Sequence, residues 1–153
     1  MITRESNLND FANMCVNIRA ADAQEIMREG RCSCVAEALD FAIHNSAYHR
    51  AADVDGKLLA MWGVVGGRAG TVAYPWLYTT VAVNKHKLSF VRGVKAEVAH
   101  LRRRYPRMRV LIDAQYCGSV KLFTRMGFRA SEPYPIRPGG ALFRMMRLEA
   151  SHG

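Results

Sequence analysis

No part of the chain approaches the ~18 consecutive apolar residues of a membrane helix, so a helical membrane span is not expected. The opening residues Met1-Ile-Thr-Arg-Glu5 lack the basic and apolar regions of a signal peptide, so a cytoplasmic protein is expected. Cysteine is scarce: four in 153 residues make no disulfide framework. Cys32-x-Cys34 is too tight for the usual metal knuckle, and a zinc site would need Cys32, Cys34, His44 and His49 together. Reduced cysteines near a helix start are the simpler reading, and no metal is expected. Repeats, low-complexity segments and linkers are all missing, which implies one domain spanning 1–153. No RNP, zinc-finger or helix-turn-helix signature occurs, so nothing points to sequence-specific base reading.

What is present is an ordinary soluble composition with a basic excess. Half the residues are apolar, enough for a real core, and 23% are charged. The net charge is +9. It concentrates between Lys85 and Arg109, in Lys85, Lys87, Arg92, Lys95, Arg102, Arg103, Arg104, Arg107 and Arg109. Such a field attracts polyanions: nucleic acid, CoA phosphates or an acidic partner surface. Lys85, Lys87, Arg92, Lys95, Arg102, Arg103 and Arg104 are the candidate contacts. The alternative is a solvated helix face followed by a basic turn.

The order of elements follows from periodicity and punctuation. Residues 7–29 read as helix, with a break near Ala20-Ala21. Asn7 or Asn9 suits its cap, Asp22 with Glu25 looks like a capping box, and Gly30 ends it. Ser33 is the expected cap of a second helix to Ser46, whose core stripe is Val35, Ala38, Leu39, Ala42 and Ile43. Asp55-Gly56 between Tyr48–Val54 and Lys57–Val65 signals a hairpin. Gly63, Gly66, Gly67 and Gly70 loosen the chain into a loop or bulge. Pro75 to Val83 reads as a strand. Leu88, Val91, Val94, Val98, Leu101 and Tyr105 mark a long amphipathic helix before Pro106. Val110 to Ala114 is a short buried strand, and Ala141 to Leu148 is the last one. The order αα-ββ-β-α-β-α-β predicts an α/β fold with a mixed sheet and helices on both faces.

The segment Tyr116-Cys-Gly-Ser119-Val-Lys-Leu-Phe123-Thr-Arg-Met-Gly127-Phe128 resembles the closing signature of GCN5-related N-acetyltransferases, the GNAT family, N-x-x-A-x-x-x-Y-x-x-x-G-F. Ser119 takes the Ala place and Gly127-Phe128 the Gly-Phe place. Tyr116 replaces the Asn. Phe123 stands where many active members carry the tyrosine that protonates the leaving thiolate. Phe123 has no proton to give, and Tyr116 lies seven residues earlier, around two turns away in a helix.

The resemblance implies acetyl-CoA at the strand before the long helix and at a turn of the form R-x-x-G-x-G. Free N–H groups at a helix N-terminus favour phosphate there, and glycine lets the backbone approach it. Aligned on Leu77 to Val83, that turn becomes Leu88-Ser-Phe-Val91-Arg-Gly93, and only Gly93 matches. Val81, Val83 and Gly93 are therefore the cofactor contacts only if acetyl-CoA binds; otherwise no cofactor is expected. No carboxylate lies in Leu77 to Val83, the nearest acids in sequence are Glu97 and Asp113, and the histidines nearest the turn are His86 and His100. No catalytic residue is assigned.

A narrower resemblance covers nearly the whole chain. Asn17-Ile-Arg19-x-x-Asp22-x-x-Glu25-Ile26, Ala38-Leu39 with Ser46, Asp55-Gly56, Met61-Trp-Gly63-Val and Pro75-Trp76-Leu77 resemble small internal virion proteins of short-tailed phages and prophages. That family is acetyltransferase-like in fold. The resemblance implies a non-catalytic protein of virion assembly or genome ejection, found in the virion and the host bacterial cytoplasm. Its partners would be other virion proteins, of the portal or internal core, with DNA met by electrostatics. The alternatives are an acetyl-CoA-dependent N-acetyltransferase and a nonspecific nucleic-acid-binding protein.

Overall fold

Short apolar runs and polar turns divide the chain into thirteen strands and α-helices in the computed structural model, which describes residues 1–149. The last residues of the predicted domain, 150–153, lie outside the described ones. The order is β1 (Ile2–Glu5), α1 (Leu8–Asn17), α2 (Ala20–Glu29), α3 (Val35–His44), β2 (Ser46–Val54), β3 (Lys57–Gly66), β4 (Ala73–Thr79), α4 (Lys87–Arg104), β5 (Arg107–Asp113), α5 (Cys117–Arg125), β6 (Arg129–Ala130), β7 (Tyr134–Pro135) and β8 (Leu142–Glu149). The strands form one sheet, β1-β2-β3-β4-β5-β8-β6, with β7 also on β8. Every pairing is antiparallel except β4 with β5. The expected mixed sheet with helices on both faces is what the chain forms.

Each face has its own core. Met14 of α1 and Leu39 of α3 pack with Ala51 and Met61 of the hairpin. Val98 and Leu101 of α4 and Phe123 of α5 pack with Val64, Met108, Ile112 and Met146 on the other face. A strand covered on both sides must be apolar on both sides, and Leu58 to Met61 are all buried.

Local chemistry sets the boundaries. Asn7 caps α1 in a reciprocal box with Asp10, the two N–H···O bonds measuring 3.1 and 2.8 Å. The long first helix breaks at Ile18 and Arg19, slightly before the expected place. Both adopt extended backbone there: Ile18 bridges to Thr80, and the Arg19 N–H reaches the Thr79 carbonyl at 2.9 Å. The hairpin turns at Asp55-Gly56, both at positive φ (50° and 73°), as a two-residue turn requires. Phe123 and Phe128 are both buried, edge to face with centroids 5.2 Å apart, and Gly127 between α5 and Phe128 takes φ 101°. The closing signature is thus a packed joint between helix and sheet.

Several expectations need correction. β1 was not anticipated; it is an exposed edge strand held by Arg4, which bonds Asp53 of β2 and Asp10 of α1 at 2.7 Å each. Asp22 is no cap, since α2 starts at Ala20, and its carboxylate turns inward to Thr79. Ser33 does not cap α3 either: its N–H and hydroxyl both donate to Glu37. Gly63 sits within β3, where a Cβ would lie 2.6 Å from the Tyr48 carbonyl and 2.7 Å from Trp76 Nε1. The strand expected to reach Val83 stops at Thr79 and continues as a 3-10 turn, Val81–Lys85. Thr80 causes the switch: its Oγ1 donates to the Leu58 carbonyl at 2.6 Å and accepts from the Ala82 N–H at 3.2 Å.

Candidate functional site

The parallel pair β4–β5 touches at a single register position, Ala73↔Met108. Beyond it the strands diverge toward their C-terminal ends. The gap opens into a cleft of about 1260 Å3 that reaches both faces of the sheet. The gap explains how Pro75 sits in a central strand. Residues two apart on a strand point their N–H groups the same way. The Thr79 N–H points into the gap, to Asp22, while the Thr80 N–H points to Leu59 on β3. By that alternation Leu77 and Pro75 also face the gap, where no ladder bond is lost.

Helix α2 lies across the open end. Asp22 accepts from the Thr79 N–H at 2.8 Å and from the Thr79 hydroxyl, holding the end of β4. Glu25 accepts from the Asp113 N–H at 3.0 Å, and Arg28 donates to the Asp113 carboxylate at 2.5 Å, holding the end of β5. The helix thereby spans the two strand ends with side chains from one face.

The cleft carries both signs of charge, with Arg19, Arg31 and Arg109 also in its lining. Asp22, Glu25 and Glu29 form its α2 wall, with Tyr78 and Tyr116 beside them. Lys87 of α4 and Lys121 and Arg125 of α5 lie on the opposite wall. Burial pushes the Glu25 carboxyl up to about 8, with the Asp22, Asp113 and Glu29 charges adding and the Asp113 N–H opposing. Burial also raises Asp22 and Glu29, against the Thr79 bonds and the Arg31 charge respectively. Tyr116 stays protonated well above the ordinary range, through burial and the neighbouring Asp22 charge.

Few of the expected residues meet here. Val83 lines the cleft, but Val81 is 52% exposed on the 3-10 turn and is not part of the lining. Gly93 is inside α4, where a Cβ would lie 2.0 Å from Met1 Cε. Of the seven expected polyanion contacts, all exposed, only Lys87 lines the cleft. Lys85, Lys87 and Arg92 lie at one end of α4, an 18-residue helix some ~27 Å long, Lys95 on its middle turns, and Arg102, Arg103 and Arg104 at the other end. Glu97 accepts from the Tyr48 hydroxyl at 2.6 Å away from the cleft, and the His86 and His100 rings do not line it. No three His, Cys, Asp or Glu side chains among the described residues are grouped to hold a metal ion, so Cys32, Cys34, His44 and His49 do not form a site.

Sequence reasoning missed the carboxylates of α2. The signal was available: Asp22, Glu25 and Glu29 share a helix face with buried Ile26. Carboxylates on a buried stripe point to a polar interior, not to a cap.

The fold is shared with solved acetyltransferase structures. The chain is similar over 99% of its length to the ribosomal-protein-S18-alanine N-acetyltransferase of Escherichia coli, at 13% identity and TM-score 0.66, covering 96% of that chain. It is similar over 96% of its length to a GNAT-family acetyltransferase of Bacillus anthracis, at 10% identity and TM-score 0.69, covering 93% of it. It is similar over its whole length (100%) to yncA of Salmonella typhimurium, described with its cofactor acetyl-CoA, at 15% identity and TM-score 0.66, covering 95% of it. The chain has the GNAT acetyltransferase fold. No family model and no curated protein matches its sequence.

The GNAT fold raises the question of whether these residues suit acetyl-CoA, and the glycine turn that the resemblance implies is not among them. The segment aligned with the phosphate turn, Leu88 to Gly93, is already inside α4. The true turn, Val81–Lys85, holds no glycine, and two of its N–H groups turn inward: Ala82 to Thr80 Oγ1 at 3.2 Å and Val83 to the Thr80 carbonyl at 3.1 Å. Along β4, Pro75 has no N–H and the Thr79 N–H is taken by Asp22. Only Leu77 among these gap-facing positions keeps a donor for an acyl oxygen.

Proposed function

We propose that this chain is a particle-associated protein of a phage or prophage that uses the GNAT fold as a scaffold and does not transfer acetyl groups. The observation that carries the non-catalytic part is Asp22 on the Thr79 N–H. A backbone donor at the mouth of the cleft, of the kind an oxyanion would need, is already satisfied by a buried carboxylate. The inward-turned N–H groups of Ala82 and Val83 and the phenylalanine at 123 support the same reading. The particle role rests on the sequence resemblance to small internal virion proteins. Portal or internal core proteins are the partners this reading implies, and the virion and host cytoplasm are its locations. Mass spectrometry of purified particles tests it: the chain is expected in stoichiometric amount, and its absence would end the particle reading.

One observation favours a second reading, an acetyl-CoA-dependent N-acetyltransferase. Glu25, raised to about 8, sits on the cleft wall with the range a general base for an amine would need. Thiol release from acetyl-CoA, dependent on an added amine and lost in Glu25→Gln, would establish it.

A further inference from the structure

We propose that the sheet face formed by β5, β8 and β6 binds single-stranded nucleic acid through a cross-strand row of arginines, Arg109, Arg147 and Arg129. The register places them directly opposite one another: Arg109↔Arg147 and Arg129↔Arg147. Residues directly opposite in antiparallel strands share a face. At the usual strand spacing the row is roughly 10 Å long. Met108, Ile112, Met146 and Leu148 turn to the core under α4 and α5, so the arginines lie on the other face. Arg147 and Arg129 are exposed.

Like charges directly opposite destabilise a sheet, so this row opposes folding. None of the three has a carboxylate partner among the described residues. Arg109 Nε is buried without a hydrogen-bond partner, at the inner end of the row where it lines the cleft. An uncompensated row of guanidinium groups suits a chain of phosphates.

Aromatic surface continues from the row. Ala73 pairs with Met108, so the next residues, Tyr74 and Arg109, are neighbours on the same face. Tyr74 is 45% exposed, and Phe41 of α3, on the same cleft, is 62% exposed. Exposed rings beside arginines stack unpaired bases, which a duplex does not offer. This site is separate from the lysines and arginines of α4.

The test is anisotropy of a labelled oligothymidine titrated with the full chain across salt concentrations. Arg129→Ala and Arg147→Ala, at exposed positions, are each expected to lower the slope of log affinity against log salt by roughly 0.7. Tyr74→Ala is expected to weaken binding by about tenfold. Replacing Arg102 and Arg103 with alanine is the control and is expected to leave a Tyr74-dependent complex. Urea midpoints confirm that the variants remain folded. Row variants that bind like the parent, tighter binding to a duplex of the same length, or no binding at low salt would overturn the proposal.

Discussion

The carboxylate of Asp22 on α2 accepts from both the backbone N–H, at 2.8 Å, and the hydroxyl of Thr79 at the end of β4. Asp22 and Thr79 are both buried. Asp22→Ala leaves the Thr79 N–H and hydroxyl without a partner. A loss of about 1–3 kcal/mol is expected, read as a lower urea midpoint at unchanged slope.

Glu25 gives a pH dependence with a definite sign. Its folded pKa, about 8, lies above its ordinary value of 4.5. The folded state therefore holds the proton more tightly than the unfolded chain. The stability linked to it is complete below the ordinary value and is lost as pH rises toward about 8. Denaturation at a series of pH values is expected to show falling stability over that window. Glu25→Gln is expected to flatten this dependence; an unchanged profile would remove Glu25 as its cause.

Two glycines separate rigid from yielding surroundings. A Cβ at Gly63 meets the Tyr48 carbonyl at 2.6 Å and the Trp76 ring at 2.7 Å, so Gly63→Ala is expected to destabilise by roughly 1–3 kcal/mol. A Cβ at Gly93 meets only Met1, at 2.0 Å from the free end of a flexible side chain. Gly93→Ala is expected to be neutral or to stabilise by up to about 1 kcal/mol through helix propensity. Thermal unfolding of the two variants side by side checks the contrast.

Phe123→Tyr restores the residue that the GNAT signature carries. Phe123 lines the cleft while packing edge-on against Phe128. A hydroxyl there changes neither the Thr79 N–H held by Asp22 nor the inward bonds of Ala82 and Val83. No thiol release from acetyl-CoA is expected, and its appearance would show that one missing acid was the whole defect.

The fold was legible where a residue's role depends on its neighbours in sequence. The apolar positions from Leu88 to Tyr105 recur at helical spacing, and α4 follows. Asp55-Gly56 sets its turn through the positive φ of those two residues themselves. β1 was not legible, because an exposed edge strand has no apolar alternation; a distant pair, Arg4 with Asp53, holds it. The end of β4 was misread because Val81 and Val83 continue a β-branched pattern, and only contact with Leu58 reveals Thr80 as the switch. The site was the least legible part. Asp22 and Glu25 have the spacing of a cap, and their partners Thr79 and Asp113 lie 57 and 88 residues away. The arginine row needed the register of three strands that sequence does not supply.

The most direct measurement is a calorimetric titration of the purified chain with acetyl-CoA. With the Thr79 N–H held by Asp22 and no glycine in the turn before α4, no binding in the low-micromolar range is expected. Saturable heat with low-micromolar affinity would contradict the account and return the chain to the acetyltransferases whose fold it has.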